Sequence, residues 1–334
     1  MIHIYLDAMG GDNAPQCTVE GAIEFLRSDS DARITLGGAA KEIEPLLQDA
    51  GDVRKRIAID ECTEIITNHE SPVMGIRQKK DSAQVKGMLL VRDGQADAFV
   101  SAGSTGATLA GGMFRLGRIP GVERPALAPL IPNGKDYFCL IDCGANVDCL
   151  PQYLPQFGIM GAAYVKLMRG FENPRVGLVN IGAESEKGNA LAKAAYPLME
   201  QAPFNFVGNV EGRDITGDVA DVVVCDGFSG NLILKFMEGV AGTLLGIIKK
   251  EIMGDTRSKI GGLLAKPAFK RVKKTMDYTE VGGAPLLGVK GVVVKAHGSS
   301  NGHAIACAIR QAAQMKRKGL VEDIEKEISK QLQQ

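Results

Sequence analysis

Residues 221–231 read Asp-Val-Val-Val-Cys-Asp-Gly-Phe-Ser-Gly-Asn and set an ionisable carboxylate, Asp226, at the end of an apolar run. Val222 to Cys225 predict a buried strand, Gly227 and Gly230 a tight turn, and Asn231 the start of a helix over 232–248. A strand, a run of small residues and a helix start leave backbone N–H groups unpaired, and these bind anions, phosphate above all. In a parallel sheet such turns lie at the carboxyl ends of strands, where ligands bind. A carboxylate beside an anion loop does not anchor the anion; its use is to orient a donor or to move a proton.

The arrangement recurs along the chain. Ile2 to Leu6 form an apolar run that ends in Asp7-Ala-Met-Gly-Gly-Asp-Asn, so Asp7, Gly10, Gly11, Asp12 and Asn13 make a second strand-end loop. A third is Ser101-Ala-Gly-Ser-Thr-Gly, in which Gly103, Ser104, Thr105 and Gly106 offer small residues and hydroxyls to a phosphate. A fourth, 142–148, carries Asn146 between carboxylates, and a fifth, 182–189, carries Lys187. The last, His297-Gly-Ser-Ser-Asn-Gly, sets a histidine beside Ser299 and Ser300. In isolation His297 could equally hold loop carbonyls together; its neighbours favour a functional part.

Strands and helices must alternate to build these loops. The expected order is strand 33–37, helix 40–49, strand 56–60, helix 72–92, strand 97–101, then a helix to Leu116. Strands 125–131 and 137–142 are joined by Pro-Asn-Gly and so are antiparallel candidates. A helix at 152–169, strand 175–181, a helix to Glu200, strand 204–208, strand 292–296 and helix 304–316 follow. Leu320, Ile324, Ile328 and Leu332 then give a last helix one apolar seam. This rhythm predicts an α/β fold with a mostly parallel sheet, in one domain over 1–334.

The 334 residues are 45% hydrophobic and 23% charged, as in an ordinary soluble enzyme, and 39 basic residues balance 39 acidic ones, so no global charge points to nucleic acid. The N-terminus is apolar only to Leu6, too short for a signal peptide, and the longest apolar run, Gly239 to Ile248 with Thr243 inside it, is far short of a membrane span. Seven cysteines without a Cys-x-x-Cys pair fit reduced cytoplasmic thiols. Cys139, Cys143 and Cys149 lack a fourth ligand, so no metal is expected. Cys225 could attack a thioester beside Asp226, but the end of an apolar strand favours core packing.

Several motifs almost match. No G-x-G-x-x-G follows a strand, and Gly283 to Gly288 has P-loop spacing with Val289 in the lysine position. Gly298-Ser-Ser-Asn-Gly302 fits a nucleophile elbow with Ser300 attacking, yet only His303 remains downstream to complete a triad. One segment breaks the rhythm. Between Thr256 and Met276 stand Arg257, Lys259, Lys266, Lys270, Arg271, Lys273 and Lys274 with no acid, interleaved with Ile260, Leu263, Leu264, Phe269 and Val272. Pro267 is expected to split it into two short helices. Residues 255–277 then form a protruding tip: either a solvated basic face, or a docking surface for an anionic membrane or an acidic protein.

Taken together, Asp-Ala-Met-Gly-Gly-Asp at 7–12, Ser-Ala-Gly-Ser-Thr-Gly-Ala at 101–107, Arg-Pro-Ala-Leu-Ala-Pro at 124–129, Gly-Ala-Asn-Val-Asp at 144–148, Asp-Gly-Phe-Ser-Gly-Asn at 226–231, Gly-Gly-Ala-Pro-Leu-Leu-Gly at 282–288 and Ala-His-Gly-Ser-Ser at 296–300 closely resemble the bacterial phosphate acyltransferases of the PlsX type, in order, from residue 2 to about 312. The resemblance implies transfer of an acyl group from acyl carrier protein to inorganic phosphate, giving acyl phosphate. A membrane glycerol-3-phosphate acyltransferase would use that product in phospholipid synthesis. It also implies a three-layer α/β/α fold like that of isocitrate/isopropylmalate dehydrogenases, no cofactor, and a homodimer in the cytoplasm, loosely attached to the inner face of the membrane. Two positions depart from the family pattern: Asn13 stands where it has His, and Ser104 where it has Asn. Both can still donate hydrogen bonds to a phosphate, but Asn13 supplies no acid or base.

Such chemistry needs no activated serine or cysteine. Phosphate is already an anionic nucleophile, and a thiolate with a pKa near ~8.5 leaves without strong acid help. Positioning and oxyanion stabilisation remain. The expectation is that the Gly10–Asn13 and 101–106 loops hold phosphate, with Lys187 as counter-charge. His297 then polarises the carbonyl or protonates the thiolate, and Asp226 orients His297 or the thioester arm. A coenzyme A-dependent phosphate acetyltransferase, an oxidoreductase of related fold and a non-catalytic lipid-binding module are the rival readings.

Overall fold

The strands divide between two sheets, a partition that periodicity does not report. The computed structural model describes residues 1–275 and 281–332. Seven strands form the first sheet in the order β3 (Ile57–Glu61), β2 (Ala32–Gly38), β1 (Ile2–Asp7), β4 (Ala98–Ser101), β12 (Val292–Lys295), β11 (Ala284–Leu287), β5 (Ala126–Leu127). The pairs from β3 to β12 are parallel, and those of β11 with β12 and β5 are antiparallel. The second sheet runs β6 (Leu130–Pro132), β7 (Tyr137–Ile141), β10 (Val222–Val224), β8 (Arg175–Asn180), β9 (Asn205–Glu211). There only β6 and β7 are antiparallel, as the Pro-Asn-Gly turn predicts. The α/β expectation with mostly parallel pairing holds.

The central strands are buried on both faces, which is why they read as continuous apolar runs. Ile4, Leu6, Phe99, Val100, Val293 and Val294 are fully buried, each side chain contributing roughly 1.5–3 kcal/mol. Helices α1 (Gln16–Ser28) and α10 (Gly302–Arg317) pack together beside the first sheet, and α11 (Leu320–Gln331) lays its Leu320–Ile324–Ile328 seam on α6 (Tyr153–Arg169). The other helices are α2 (Ala40–Ile43), α3 (Pro72–Gln78), α4 (Ala83–Arg92), α5 (Thr105–Gly111), α7 (Ala190–Glu200), α8 (Gly227–Ile252) and α9 (Thr256–Thr275). A 3-10 stretch follows α2 and a π turn, Gly112–Leu116, extends α5.

Several local expectations change. The helix expected over 72–92 is two, because Ser82 caps α4 by accepting from Val85 N–H. No loop separates β10 from its helix: α8 begins at Gly227, and Asp226 is its N-cap. Pro267 does not split the basic segment, which is the single helix α9. β11 lacks the alternation of a half-exposed strand and escaped the sequence reading.

Although Thr243 interrupts its apolar run from Gly239 to Ile248, α8 holds an 18-residue window of mean hydropathy 1.5, none of it buried. Its first three turns lie against the body of the protein: Gly227 and Gly230 are buried, and Ile233, Leu234 and Met237 pack on the core. Any Cβ on Gly230 would collide with the Asp142 carbonyl oxygen, so glycine is needed there for α8 to dock on the sheet. Asp142 is itself fully buried and accepts from Leu127 N, Ala145 N, Asn146 N and Asn146 Nδ2 at 2.6–3.1 Å. Asp142→Ala would strip three backbone N–H groups of their acceptor, at roughly 1–3 kcal/mol each. The urea midpoint should fall by the equivalent of about 3 kcal/mol or more; an unchanged midpoint would mean the cluster is dispensable.

Candidate functional site

Three of the small-residue loops meet at the carboxyl edge of adjacent strands β1, β4 and β12. The 7–13 loop is tied to the last loop by Asp12 N donating to Gly298 O at 2.8 Å and by Asn13 Nδ2 donating to Ser300 O at 3.2 Å. It touches the 101–106 loop through Gly10, where a Cβ would lie 2.7 Å from Gly103 N and 2.6 Å from Asp7 Oδ2. Only glycine lets the two backbones approach so closely. Underneath, Asp7 Oδ2 accepts from Ser101 Oγ at 2.7 Å, and that hydroxyl oxygen accepts from Gly103 N at 3.0 Å. Asp7 is thus a buried brace of the loops. Burial pushes its carboxyl up, against hydrogen bonds from Ser101 and Met9 and the charge of Lys295.

Beside the loops opens a cavity of about 150 Å³. One wall is apolar: Leu127, Pro129, Leu130, Ile131 and Leu234. The same cavity is lined by Thr105, Asn231, Lys235, Glu238, Lys295 and His297, with Lys235 Nζ 2.7 Å from Glu238 Oε2. Lys295 is only 8% exposed and donates to the carbonyl oxygens of Ala102 and Ala296. A lysine has three donors, so one N–H remains for the cavity. Burial pushes its pKa down to about 8, opposed by Asp7 and Asp12. His297 Nδ1 lies 2.8 Å from Ser299 Oγ, and Nε2 lies 3.5 Å from Lys235 Nζ. Burial first, and then the Lys235 charge, lower its pKa from the ordinary 6.5, with Glu238 opposing. The imidazole is therefore neutral near pH 7, flanked by two ammonium groups. Such a site attracts a small anion and can polarise a carbonyl beside it.

The remaining candidates separate into groups. Gly11, Asp12, Gly103, Ser104 and Gly106 belong to the loops; Ser104 Oγ caps α5 by accepting from Ala107 N at 3.4 Å. Ser300 is buried and gives its carbonyl to Asn13. The elbow reading loses its histidine: His303 Nδ1 lies 2.6 Å from Glu24 and Nε2 3.6 Å from Cys307. Asn146 is a brace, donating from Nδ2 to Pro125 O and Asp142. Asp226 does not orient His297: its Oδ1 accepts from Ser229 N and its Oδ2 from Ser229 Oγ, as the cap of α8 requires. It lines a second, open cavity of about 740 Å³ with Asn180, Asn189 and Ser229. Lys187 is exposed on the loop after β8 and lines neither cavity. The lysines that do line the cavity beside His297 are Lys235 and Lys295. Burial raises the Cys225 and Cys143 thiols well above the ordinary value, which fits packing and not nucleophilic attack.

Lys235 and Lys295 were both missed, although each carried a signal. Lys235 is four residues beyond Asn231 on α8 and so shares its face. Lys295 is two residues before His297 and points to the same side of the strand end. On α9, Lys259, Leu263, Leu264, Lys266, Lys270 and Arg271 are all exposed, Leu263 and Leu264 to 70% and 78%. Lys273 and Lys274 fall on the same helix, and Met276 lies outside the described residues. Among the described residues no cluster of His, Cys, Asp or Glu is arranged to hold a metal.

Two mostly parallel sheets, with glycine-rich loops at the edge of the first and a cavity beside them, form an architecture shared with solved structures. The structure superposes on a phosphotransacetylase from Streptococcus pyogenes with a TM-score of 0.62, 18% identity and coverage of 95% of this chain and 94% of that one. A phosphotransacetylase from Staphylococcus aureus gives 0.63 at 17% identity, with 94% coverage of each. Residues 2–323 match the family model described as fatty acid synthesis protein. The phosphate acyltransferase of Alkaliphilus oremlandii is 51% identical over 326 residues, 98% of this chain and 97% of that protein. That of Clostridium acetobutylicum is 48% identical over 326 residues, 97% and 98% of the two chains. The chain belongs to this phosphate acyltransferase family and is an acyltransferase.

Proposed function

We propose that the chain transfers a fatty acyl group from acyl carrier protein to inorganic phosphate, supplying acyl phosphate for acylation of glycerol 3-phosphate. The observation that carries this reading is one cavity lined both by Lys235, Lys295 and neutral His297 and by the apolar side chains of Leu127, Pro129, Leu130, Ile131 and Leu234. A phosphate oxygen forms the bond to the carbonyl carbon, the carbon–sulfur bond breaks, and the thiolate leaves to take a proton. Lys295 and Lys235 hold the anion, and His297 donates to the oxygen that gains charge. The backbone N–H groups at the start of α5 add to the same field.

The exposed apolar residues of α8, among them Phe228, Leu232, Phe236 and Leu244, favour pairing with a second copy in a homodimer. The interleaved basic and apolar residues of α9 favour an anionic bilayer, which would keep the enzyme on the cytoplasmic face of the membrane near the acyltransferase that consumes its product. Vesicle co-sedimentation of a variant with Lys270, Arg271, Lys273 and Lys274 changed to Glu should lose anionic-lipid binding; full retention would remove the lipid assignment.

Thiol release from long-chain acyl carrier protein, measured with and without phosphate while hydroxylamine traps acyl phosphate, tests the reaction. Phosphate-dependent release with a trapped acyl group is the expected result. Release that ignores phosphate would mean hydrolysis, and turnover restricted to a coenzyme A thioester would reassign the donor.

A further inference from the structure

The mouth of the cavity opens beside a surface of one sign. α3 lies along α5 and its π turn: a Cβ on Gly106 would meet Pro72 at 2.6 Å, a Cβ on Gly111 would meet Ile76 at 3.2 Å, and Arg115 donates to Ile76 O at 2.8 Å. Residues 71–80 contain Arg77, Lys79 and Lys80 and no acid; residues 101–122 contain Arg115 and Arg118 and no acid. In a chain whose charges balance to zero this is a local excess. Glu70 neutralises Lys79, and Asp81 is committed to Thr63 and Lys86, so the excess rests on Arg77, Lys80, Arg115 and Arg118. Val73, Met74 and Phe114 lie exposed on the same two segments. Thr105, at the start of α5, lines the cavity with His297, so this surface begins where the reacting atoms must sit.

We propose that the face made by α3, α5 and the π turn docks an acidic carrier protein, which feeds its thioester arm past Thr105 into the cavity. The inference rests on the functional reading above and adds where the donor binds. Basic residues around a few exposed apolar side chains match an acidic partner with a small apolar contact, and steer its approach. The other basic surface, α9, is badly placed for this work. From Asn231, which lines the cavity, to Ile252 α8 advances about 32 Å at 1.5 Å per residue. α9 starts beyond that end, with Gly262 lying against Ile252. A carrier seated there would hold its thioester far from His297.

The test is steady-state thiol release from long-chain acyl carrier protein, with carrier thioester and phosphate each varied at a saturating level of the other. Arg77→Glu/Lys80→Glu should raise KM for the carrier thioester by about tenfold or more, with kcat and the KM for phosphate unchanged. Wild-type KM should climb between about 0.05 and 0.5 M salt, and the double variant should lose most of that dependence. Lys259→Glu/Lys270→Glu on α9 should leave the carrier KM unchanged. An unaltered KM in Arg77→Glu/Lys80→Glu, or a wild-type KM indifferent to salt, would overturn the docking face while the functional reading stood. A shift confined to the α9 variant would move the carrier to that helix. A wild-type chain that released no thiol from the carrier at any salt would overturn the functional reading, and the docking with it.

Discussion

Lys295→Met is expected to lower kcat/KM for phosphate by about 10²–10³, the usual cost of removing one preorganised donor from an anion site. The ammonium is held by two backbone carbonyls and lines the cavity beside His297, so its charge is fixed before substrate arrives. The pH dependence gives a second, independent readout. Burial brings the pKa of Lys295 down to about 8, so the charge disappears as pH rises through that value. The wild-type rate should fall above about pH 8, and the methionine variant should lack that limb. The stability effect runs the other way. Because the folded-state value lies below the unfolded 10.5, the unfolded chain binds more protons between the two. Stability contributed by this group therefore rises from pH 8 to 10.5, and the buried charge is a cost below pH 8. Asp7 keeps its bonds from Ser101 and Met9 in the variant, so thermal melting at pH 7 should change little. Wild-type kinetics in a folded Lys295→Met would remove the lysine from the anion site.

His297→Ala is expected to reduce kcat by about 10², with the KM for phosphate nearly unchanged, because the anion keeps Lys235 and Lys295. His297→Gln retains an N–H donor and should recover part of the loss. Burial and Lys235 both lower the histidine pKa, so the neutral ring persists on acidification. Titration of His297 followed by its imidazole NMR signals should therefore show a pKa below the ordinary 6.5. A pKa at or above 6.5 would contradict the neutral ring, and a His297→Ala rate within a factor of two of wild type would contradict the assigned role. Asp226 offers a contrast. As the cap of α8, its replacement by Ala should cost about 1 kcal/mol of stability, and Asp226→Ser should restore it.

The loops at 7–13, 101–106 and 296–302 were legible because glycine, small hydroxyl residues and apolar runs mark strand ends whatever the tertiary arrangement. Their convergence was not, since which strands become neighbours is decided by pairing across the sheet. β12 inserts beside β4 although nearly two hundred residues separate them, and this alone sets His297 and Lys295 next to Thr105. The same non-locality explains Asp226 and Lys187. Both sit in convincing strand-end sequences, but β10 and β8 belong to the second sheet, so their loops face a different cavity. Pro267 misled because its missing N–H and the crowding of its ring against the carbonyl four residues back weaken a helix without having to end it, and in exposed α9 that freed carbonyl can turn to water.

The wall of the reaction cavity is also the place where the backbone crosses from one sheet to the other. Ala126–Leu127 closes the first sheet and Leu130–Pro132 opens the second, with only Ala128 and Pro129 between them, and Leu127, Pro129, Leu130 and Ile131 all face the cavity. Leu127 belongs to one sheet and Leu130 to the other, so any rotation of one sheet against the other would change the shape of the cavity. It follows that the halves are not separable modules: cleaving the chain at 128–129, or permuting its termini to that point, would sever the crossover and unmake the pocket even if each half kept its own fold.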